Sequence, residues 1–204
     1  MQRKLIVALM AAAGLLSANA VQAEGESPWL VRVRALNLNW DNGQGENLDR
    51  TARVEAVNRW IPEFDVSYFF TKNIAAELVL TYPQNVDINV NGTKQGTIKA
   101  LPPSLLLQYH FTDLGALKPY VGAGLNYTLF TKRSNILNGG ASVGKSSTGL
   151  ALQVGFDYAL SKSWSLNLDL KYAKMDTDVF VGAPKAGKLE LNPTMLGVGV
   201  GYRF

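Results

Sequence analysis

The feature that most constrains this chain is an alternation of apolar residues with small or polar ones, which is clearest at its C-terminal end. Over residues 195–204, one face carries Leu196, Val198, Val200, Tyr202 and Phe204, and the other carries Met195, Gly197, Gly199, Gly201 and Arg203. Successive side chains of a β-strand point to opposite faces of the sheet. A period of two therefore predicts a final strand with one fully apolar face.

The same alternation recurs in earlier segments, which gives eight predicted strands in all. The earlier segments are 29–36, 63–70, 74–81, 105–111, 121–129, 149–160 and 164–173. Most are close to the roughly 9–11 residues that a tilted strand needs to cross a bilayer.

The predicted connections between these strands alternate in length. Those near 71–73, 112–118 and 161–163 are short, and those near 40–58, 84–102, 131–147 and 176–189 are long and rich in Gly, Asn and Lys. Short periplasmic turns and long extracellular loops are typical of outer-membrane barrels. With an even number of strands, both termini of the barrel fall on the periplasmic side.

The distribution of charge separates a membrane barrel from a soluble one. A lipocalin-like barrel also has eight strands, but its interior is apolar. Here the continuous apolar face has aromatic residues near its strand ends, as a lipid-facing band does. The opposite face carries Arg32, Arg34, Glu63, Asp65, Glu77, His110, Asp157, Asp169, Lys171 and Arg203. We predict an all-β, eight-stranded, up-and-down antiparallel barrel in the bacterial outer membrane, with these charges paired inside a filled lumen.

The N-terminal segment has the pattern of a secretory signal peptide. Arg3 and Lys4 precede an apolar stretch over residues 5–16, and cleavage is expected after Ala23, with Ala20 as the second choice. The predicted domains are therefore a signal peptide at 1–23 and a barrel at 24–204. Without Arg3 and Lys4 the chain has 18 basic and 16 acidic residues, scattered along its length, which excludes a typical nucleic-acid binder.

Two features that resemble catalytic sites lack the context that catalysis needs. Residues 139–146 match the phosphate-loop pattern, but an alternating strand follows where the loop needs a helix. His110 is the only histidine, it precedes a periplasmic turn, and it has no cysteine or other histidine for a metal site. Paired inward charges could also form a proton path. We predict no enzyme activity, no metal and no cofactor.

Pro102 and Pro103 are more suggestive, because proline has no N–H to give to a strand ladder. They mark either the outer end of the fourth strand or a side opening from the lumen to the bilayer. Inward apolar residues could line such a route: Phe69, Val79, Leu106, Phe130 and Met195. Gly197, Gly199 and Gly201 are expected to leave lumen space beside the last strand.

Several blocks in this order resemble the outer-membrane protein W (OmpW) family. They are residues 101–109 (LPPSLLLQY), 119–127 (PYVGAGLNY), 176–178 (DTD), 192–193 (NP) and 201–204 (GYRF). The resemblance covers essentially the whole predicted barrel, except the long loops at 84–99 and 131–147. It implies a barrel with a narrow, largely apolar channel that admits small hydrophobic molecules, and no catalytic residues.

The sequence thus favours a passive outer-membrane channel for small hydrophobic solutes, with lateral exit into the bilayer as an option. A barrel whose loops recognise surfaces or receptors is the alternative, and a lipid-modifying enzyme is a third possibility. The expected partners are the bilayer, lipopolysaccharide, the solutes, and the barrel-assembly machinery, which would read the terminal aromatic residue of the last strand. The oligomeric state is left open.

Overall fold

The computed structural model describes residues 27–44, 54–133 and 136–204. The predicted signal peptide at 1–23 lies outside these ranges. Within these ranges, no helix is long and apolar enough to cross a membrane.

Almost all of the described chain is antiparallel β-structure. The strands are β1 (Trp29–Asn39), β2 (Gly43–Gln44), β3 (Val54–Ala56), β4 (Arg59–Phe69), β5 (Ile74–Thr81), β6 (Gln84–Val90), β7 (Thr93–Leu101), β8 (Ser104–His110), β9 (Leu117–Thr131), β10 (Ala141–Val143), β11 (Ser146–Ala159), β12 (Trp164–Ala173), β13 (Asp176–Val181), β14 (Lys185–Glu190) and β15 (Thr194–Arg203). A short 3₁₀ turn covers Leu137–Gly139.

Eight of these strands close into a barrel, which confirms the predicted fold. They pair in the order β1-β4-β5-β8-β9-β11-β12-β15, and β15 pairs back with β1. The paired residues can be followed once around the wall, starting from Trp164 at the beginning of β12. The path returns to Lys174, the residue just after β12, whose N–H donates to the Leu150 carbonyl. This offset of ten residues gives strongly tilted strands around a lumen that side chains can fill.

The strands continue above the barrel where the sequence predicted loops. β6 and β7 form a hairpin that extends the third and fourth barrel strands, with a turn at Asn91–Gly92 whose φ angles are 51° and 78°. β13 and β14 form a second hairpin above the seventh and eighth strands, flanked by β10 and β2. The long extracellular connections predicted at 84–102 and 176–189 are therefore present, and each of them contains a β-hairpin.

The outer surface carries the predicted apolar band between two aromatic rows. Its middle is made of exposed aliphatic side chains such as Leu107, Leu152 and Val198. The periplasmic row includes rings in edge contact: Trp29, Tyr68, Phe70, Trp164, Tyr202 and Phe204. The extracellular row consists of the exposed rings Trp60, Tyr82, Tyr127 and Tyr172. Two such rows mark the membrane interfaces of a barrel.

Candidate functional site

The periplasmic half of the lumen is filled by an ionic network centred on two arginines of β1. The Arg32 guanidinium donates to both carboxylate oxygens of Asp157, at 3.1 and 2.7 Å. Its third nitrogen, Nη1, lies 3.2 Å from both Asp65 and Glu77. Because the fork of the guanidinium matches a carboxylate, the bidentate pair fixes both side chains in one geometry. Arg32 is completely buried, so this pair closes the lumen rather than lining it.

Arg34 and Lys171 continue the network towards the extracellular side. Arg34 Nε lies 3.0 Å from Glu63, and the same guanidinium is paired with Asp65 and lies 3.3 Å from Asp169. Lys171 Nζ donates to both oxygens of Glu63, each at 3.2 Å. All these side chains are at most 1% exposed, so each charge depends on its protein partners and not on water.

Neutral polar side chains donate further hydrogen bonds to these carboxylates. Gln153 donates to Glu77 at 2.9 Å and to Asp169 at 2.7 Å, and the Tyr120 hydroxyl donates to Asp169 at 2.8 Å. Gln108 bridges Glu77 to His110. The predicted ionic network is confirmed, and the lumen is apolar only in its extracellular half, not largely apolar throughout. We call the network of Arg32, Arg34, Glu63, Asp65, Glu77, Asp157, Asp169 and Lys171 the ionic plug.

The extracellular half of the lumen is a continuous apolar cluster. Its buried members are Leu36, Leu38, Trp40, Ala56, Ile61, Val86, Ile88, Ile98, Ala100, Phe130, Ile136, Ala141, Val143, Ala173, Met175, Leu189, Leu191 and Met195. Five of them lie in the hairpins β6–β7 and β13–β14, at positions where the sequence predicted loops. We call this cluster the apolar cup.

The cup rests directly on the plug. The space between them is lined by Ile61, Val79, Met175 and Met195 from the apolar side, with Glu63 and Lys171 below. The free cavity there is only about 10 Å³, which is room for about one water molecule. The described residues therefore leave no open passage at this level.

Pro102 and Pro103 lie in the barrel wall beside this cavity. Pro102 lines it together with Ser104 and Asn126. β8 does begin just after the prolines, but β7 continues the same strand above them, so they interrupt the fourth strand rather than end it. On the β9 side the wall stays joined, because the Tyr127 N–H donates to the Pro103 carbonyl at 3.0 Å.

The ladder is broken on the other side of the prolines. β5 pairs with β8 only as far as Val79 opposite Ser104, and pairing resumes in the hairpin with Gln84 opposite Ala100. The Thr81 hydroxyl in the gap is buried without a hydrogen-bond partner. In a closed barrel, absent ladder bonds make the wall locally easier to separate. The seam between 80–83 and 101–103 is therefore the weak point of the wall beside the cup, and we call it the proline seam.

The five predicted lining residues all point inward but do not lie together. Phe130 and Met195 belong to the cup. Val79 and Leu106 form a separate cluster with Ala151 at mid-height. Phe69 lies at the periplasmic end, with its ring 4.8 Å from His110 and under the Arg203 guanidinium. Their role in a solute path stays a prediction.

The glycines of β15 face the lumen, but the space predicted beside them is filled. A Cβ at Gly197 would lie 3.2 Å from side-chain carbons of both Arg34 and Leu36. At Gly199 it would lie 2.0 Å from the Val33 carbonyl oxygen, and at Gly201 it would lie 2.7 Å from Ser165. The glycines let β1 and its arginines approach closely, so the expectation of open lumen here is wrong.

His110 and the segment at 139–146, which resemble catalytic sites in the sequence, are packed as parts of the barrel structure. His110 is buried between the rings of Phe69 and Tyr120 and bonds Gln108. The segment at 139–146 contains β10 and runs into β11, so no helix follows it to cradle a phosphate. No group of three or more metal-ligating side chains is found in the described ranges.

Comparison with known proteins agrees with this architecture. The OmpW family model matches residues 28–204. An uncharacterized outer-membrane protein of Sinorhizobium fredii, y4mB, is 43% identical over 89% of this chain and 82% of its own. Outer membrane protein W of Vibrio cholerae is 32% identical over 96% of this chain and 97% of its own. The crystal structure of OprG from Pseudomonas aeruginosa superposes with a TM-score of 0.76 at 29% identity, covering 88% of this chain and 97% of OprG.

The name of one further relative refers to a metabolic operon. The dibenzothiophene metabolism operon protein PahQ of Pseudomonas aeruginosa is 27% identical over 88% of this chain and 90% of its own. Homologues named as outer-membrane proteins and the closed barrel together place the chain in the bacterial outer membrane. The family model covers nearly all of the described barrel, and the chain belongs to the OmpW family.

Proposed function

We propose that this barrel is a passive channel through which small hydrophobic molecules enter the apolar cup and leave sideways into the bilayer at the proline seam. One observation carries the proposal: three features meet at the height of the small cavity between cup and plug. They are the floor of the cup, the top of the plug and the interrupted ladder. A relative from a dibenzothiophene metabolism operon adds support, because dibenzothiophene is an apolar aromatic molecule.

Energetics favour the side route over a straight one. To continue into the periplasmic half, an apolar solute would have to separate buried pairs such as Lys171–Glu63 and Arg34–Asp65. Breaking one buried pair costs about 3–5 kcal/mol. At the seam, the ladder bonds between 80–83 and 101–103 are already absent, and the solute passes from apolar cup to apolar lipid. Selectivity then comes from partition by size and apolarity rather than from charge.

Solute flux tests the proposal. Vesicles with lipopolysaccharide in the outer leaflet would carry the native chain or Pro102→Thr/Pro103→Thr, and the rise of dibenzothiophene fluorescence in the vesicles would be followed. Threonine supplies the missing N–H groups, so we expect the double variant to lose most of the added flux. Pro62→Thr is the matched control, because Pro62 is an exposed proline within the intact β1–β4 ladder.

The outcomes separate the two leading functions. Flux that the native protein adds and the proline variant loses supports the channel with side exit. Equal flux with and without the protein contradicts it, and favours a recognition barrel that uses the hairpins β6–β7 and β13–β14 above the membrane.

A further inference from the structure

Four lysines lie on consecutive strands at the extracellular side of the barrel. Lys99 is in β7, Lys132 follows β9, Lys145 precedes β11 and Lys174 follows β12. β7 pairs with β9, β9 with β11, and the Lys174 N–H bonds the Leu150 carbonyl of β11. The four residues therefore lie close together in one sector of the extracellular end of the barrel, which we call the basic sector.

The basic sector lies just beyond the extracellular aromatic row. Lys174 is two residues past Tyr172 on the same outward face, and both are exposed. Lys132 is five residues past Tyr127. With a rise of about 3.3 Å per residue along tilted strands, the lysines fall within about 15 Å of the aromatic row. Aromatic rows sit at headgroup level, so this height is that of the lipid headgroups.

These lysines differ from the cations of the two hairpins in having no acidic partner within the described ranges. Lys94 and Arg59 both pair with Asp87 in the β6–β7 hairpin. Lys185 pairs with Asp178 at 2.7 Å and Lys188 with Asp176 at 3.0 Å in the second hairpin. No ion pair of the described residues involves Lys99, Lys132, Lys145 or Lys174. Among the described residues, their positive charge is therefore not neutralised by a carboxylate.

A cleft opens at one edge of this sector. It has a volume of about 540 Å³ and is lined by Arg133, Lys145, Ser146, Thr177 and Lys188, with the paired carboxylates Asp176 and Asp178. The Thr177 side chain is 2% exposed, and its hydroxyl has no hydrogen-bond partner. A buried hydroxyl next to several cations suits an anionic oxygen that comes from solution.

We propose that the basic sector docks the phosphate groups of the glycolipid in the outer leaflet, that is, the phosphates of lipopolysaccharide. Neighbouring lipid phosphates repel one another, and an ammonium group placed between them at headgroup height relieves that repulsion. Lysines near an anionic membrane surface each add to the attraction, and lysine is a common phosphate ligand. One side of the barrel is thereby fixed against the outer leaflet, whatever solute the lumen admits.

Binding of lipid A by the purified barrel in detergent, with EDTA and about 0.15 M salt, tests this proposal. We expect Lys99→Gln/Lys132→Gln/Lys145→Gln/Lys174→Gln to weaken binding of bisphosphorylated lipid A by roughly tenfold or more. The matched control, Lys72→Gln/Lys94→Gln/Lys162→Gln/Lys185→Gln, removes four lysines outside the sector. It should bind as the native chain does.

Lipid A without phosphates is the second arm of the experiment, and it should bind native protein and both variants equally weakly. Gel migration without heating confirms first that each variant is folded. Equal weakening in the control variant, an unchanged affinity in the sector variant, or native binding that does not depend on the phosphates would each overturn the proposal.

Discussion

Replacing Lys171 by methionine tests whether the ionic plug holds the barrel together as a network of buried charges. The substitution keeps the length of the side chain but removes the ammonium that lies 3.2 Å from both oxygens of Glu63. Removing one partner of a buried pair costs about 3–5 kcal/mol, because the other charge stays buried. Glu63 keeps Arg34 at 3.0 Å, so we expect the lower end, about 3 kcal/mol.

The double variant Lys171→Met/Glu63→Leu separates the lost interaction from the stranded charge. It removes both members of the pair and leaves Arg34 with Asp65 and Asp169. Replacing a buried pair by apolar residues is often neutral, so we expect a free energy of unfolding within about 1 kcal/mol of the native value.

Urea unfolding in lipid vesicles, followed by tryptophan fluorescence, gives the free energies of unfolding. The reasoning is refuted if Lys171→Met unfolds within about 1 kcal/mol of native, or if the double variant is less stable than the single one.

Three other predictions follow from local geometry. Gly199→Val should reduce the yield of folded barrel in vesicles, because a Cβ there would lie 2.0 Å from the Val33 carbonyl, whereas Val198→Ala on the exposed outer face of the same strand should assemble like the native chain. Asn126→Ala removes the donor to the Pro103 carbonyl and the Ser104 hydroxyl, at 3.2 and 2.9 Å, and should raise apolar flux by loosening the seam; unchanged flux would count against it. Hydrogen bonds from Lys94 and Thr97 lower the pKa of Asp87, which lies in the hairpin above the membrane. The contribution of ionised Asp87 to the stability of the hairpin is therefore present above the ordinary aspartate pKa of about 3.9 and is lost as the pH falls below it. The protection factors of the β6–β7 amides against hydrogen exchange should therefore be constant near neutral pH and fall only in acid.

The barrel could be predicted from the sequence because lipid imposes a simple rule on it. Outward residues such as Leu152 and Val154 must be apolar over the whole span, so the period of two survives in each strand. The hairpin β6–β7 also has a signal in the sequence, which is a two-residue turn between apolar segments. Asn91–Gly92 between Val86, Ile88 and Val90 on one side and Ile98 on the other is a strong two-residue turn signal.

The interior was harder to predict, because facing inward does not say which partner a side chain meets. Arg32 and Asp157 are 125 residues apart in the chain, and only barrel closure brings them together. The expectation of free lumen space beside the glycines of β15 failed for the same reason. Their lumen side is taken by side chains of β1, and that depends on the register between the two strands.

A reversible lock on the proline seam tests the central claim most directly. The chain has no cysteine, so Tyr82→Cys/Leu101→Cys would introduce one pair across the gap, between the pairs Val79–Ser104 and Gln84–Ala100, and would leave both prolines in place. A control pair, Leu168→Cys/Val198→Cys, joins β12 to β15 where the ladder is intact. We predict that oxidation stops dibenzothiophene flux only in the seam variant and that reduction restores it. Flux that continues through the oxidised seam would contradict exit into the bilayer at Pro102 and Pro103.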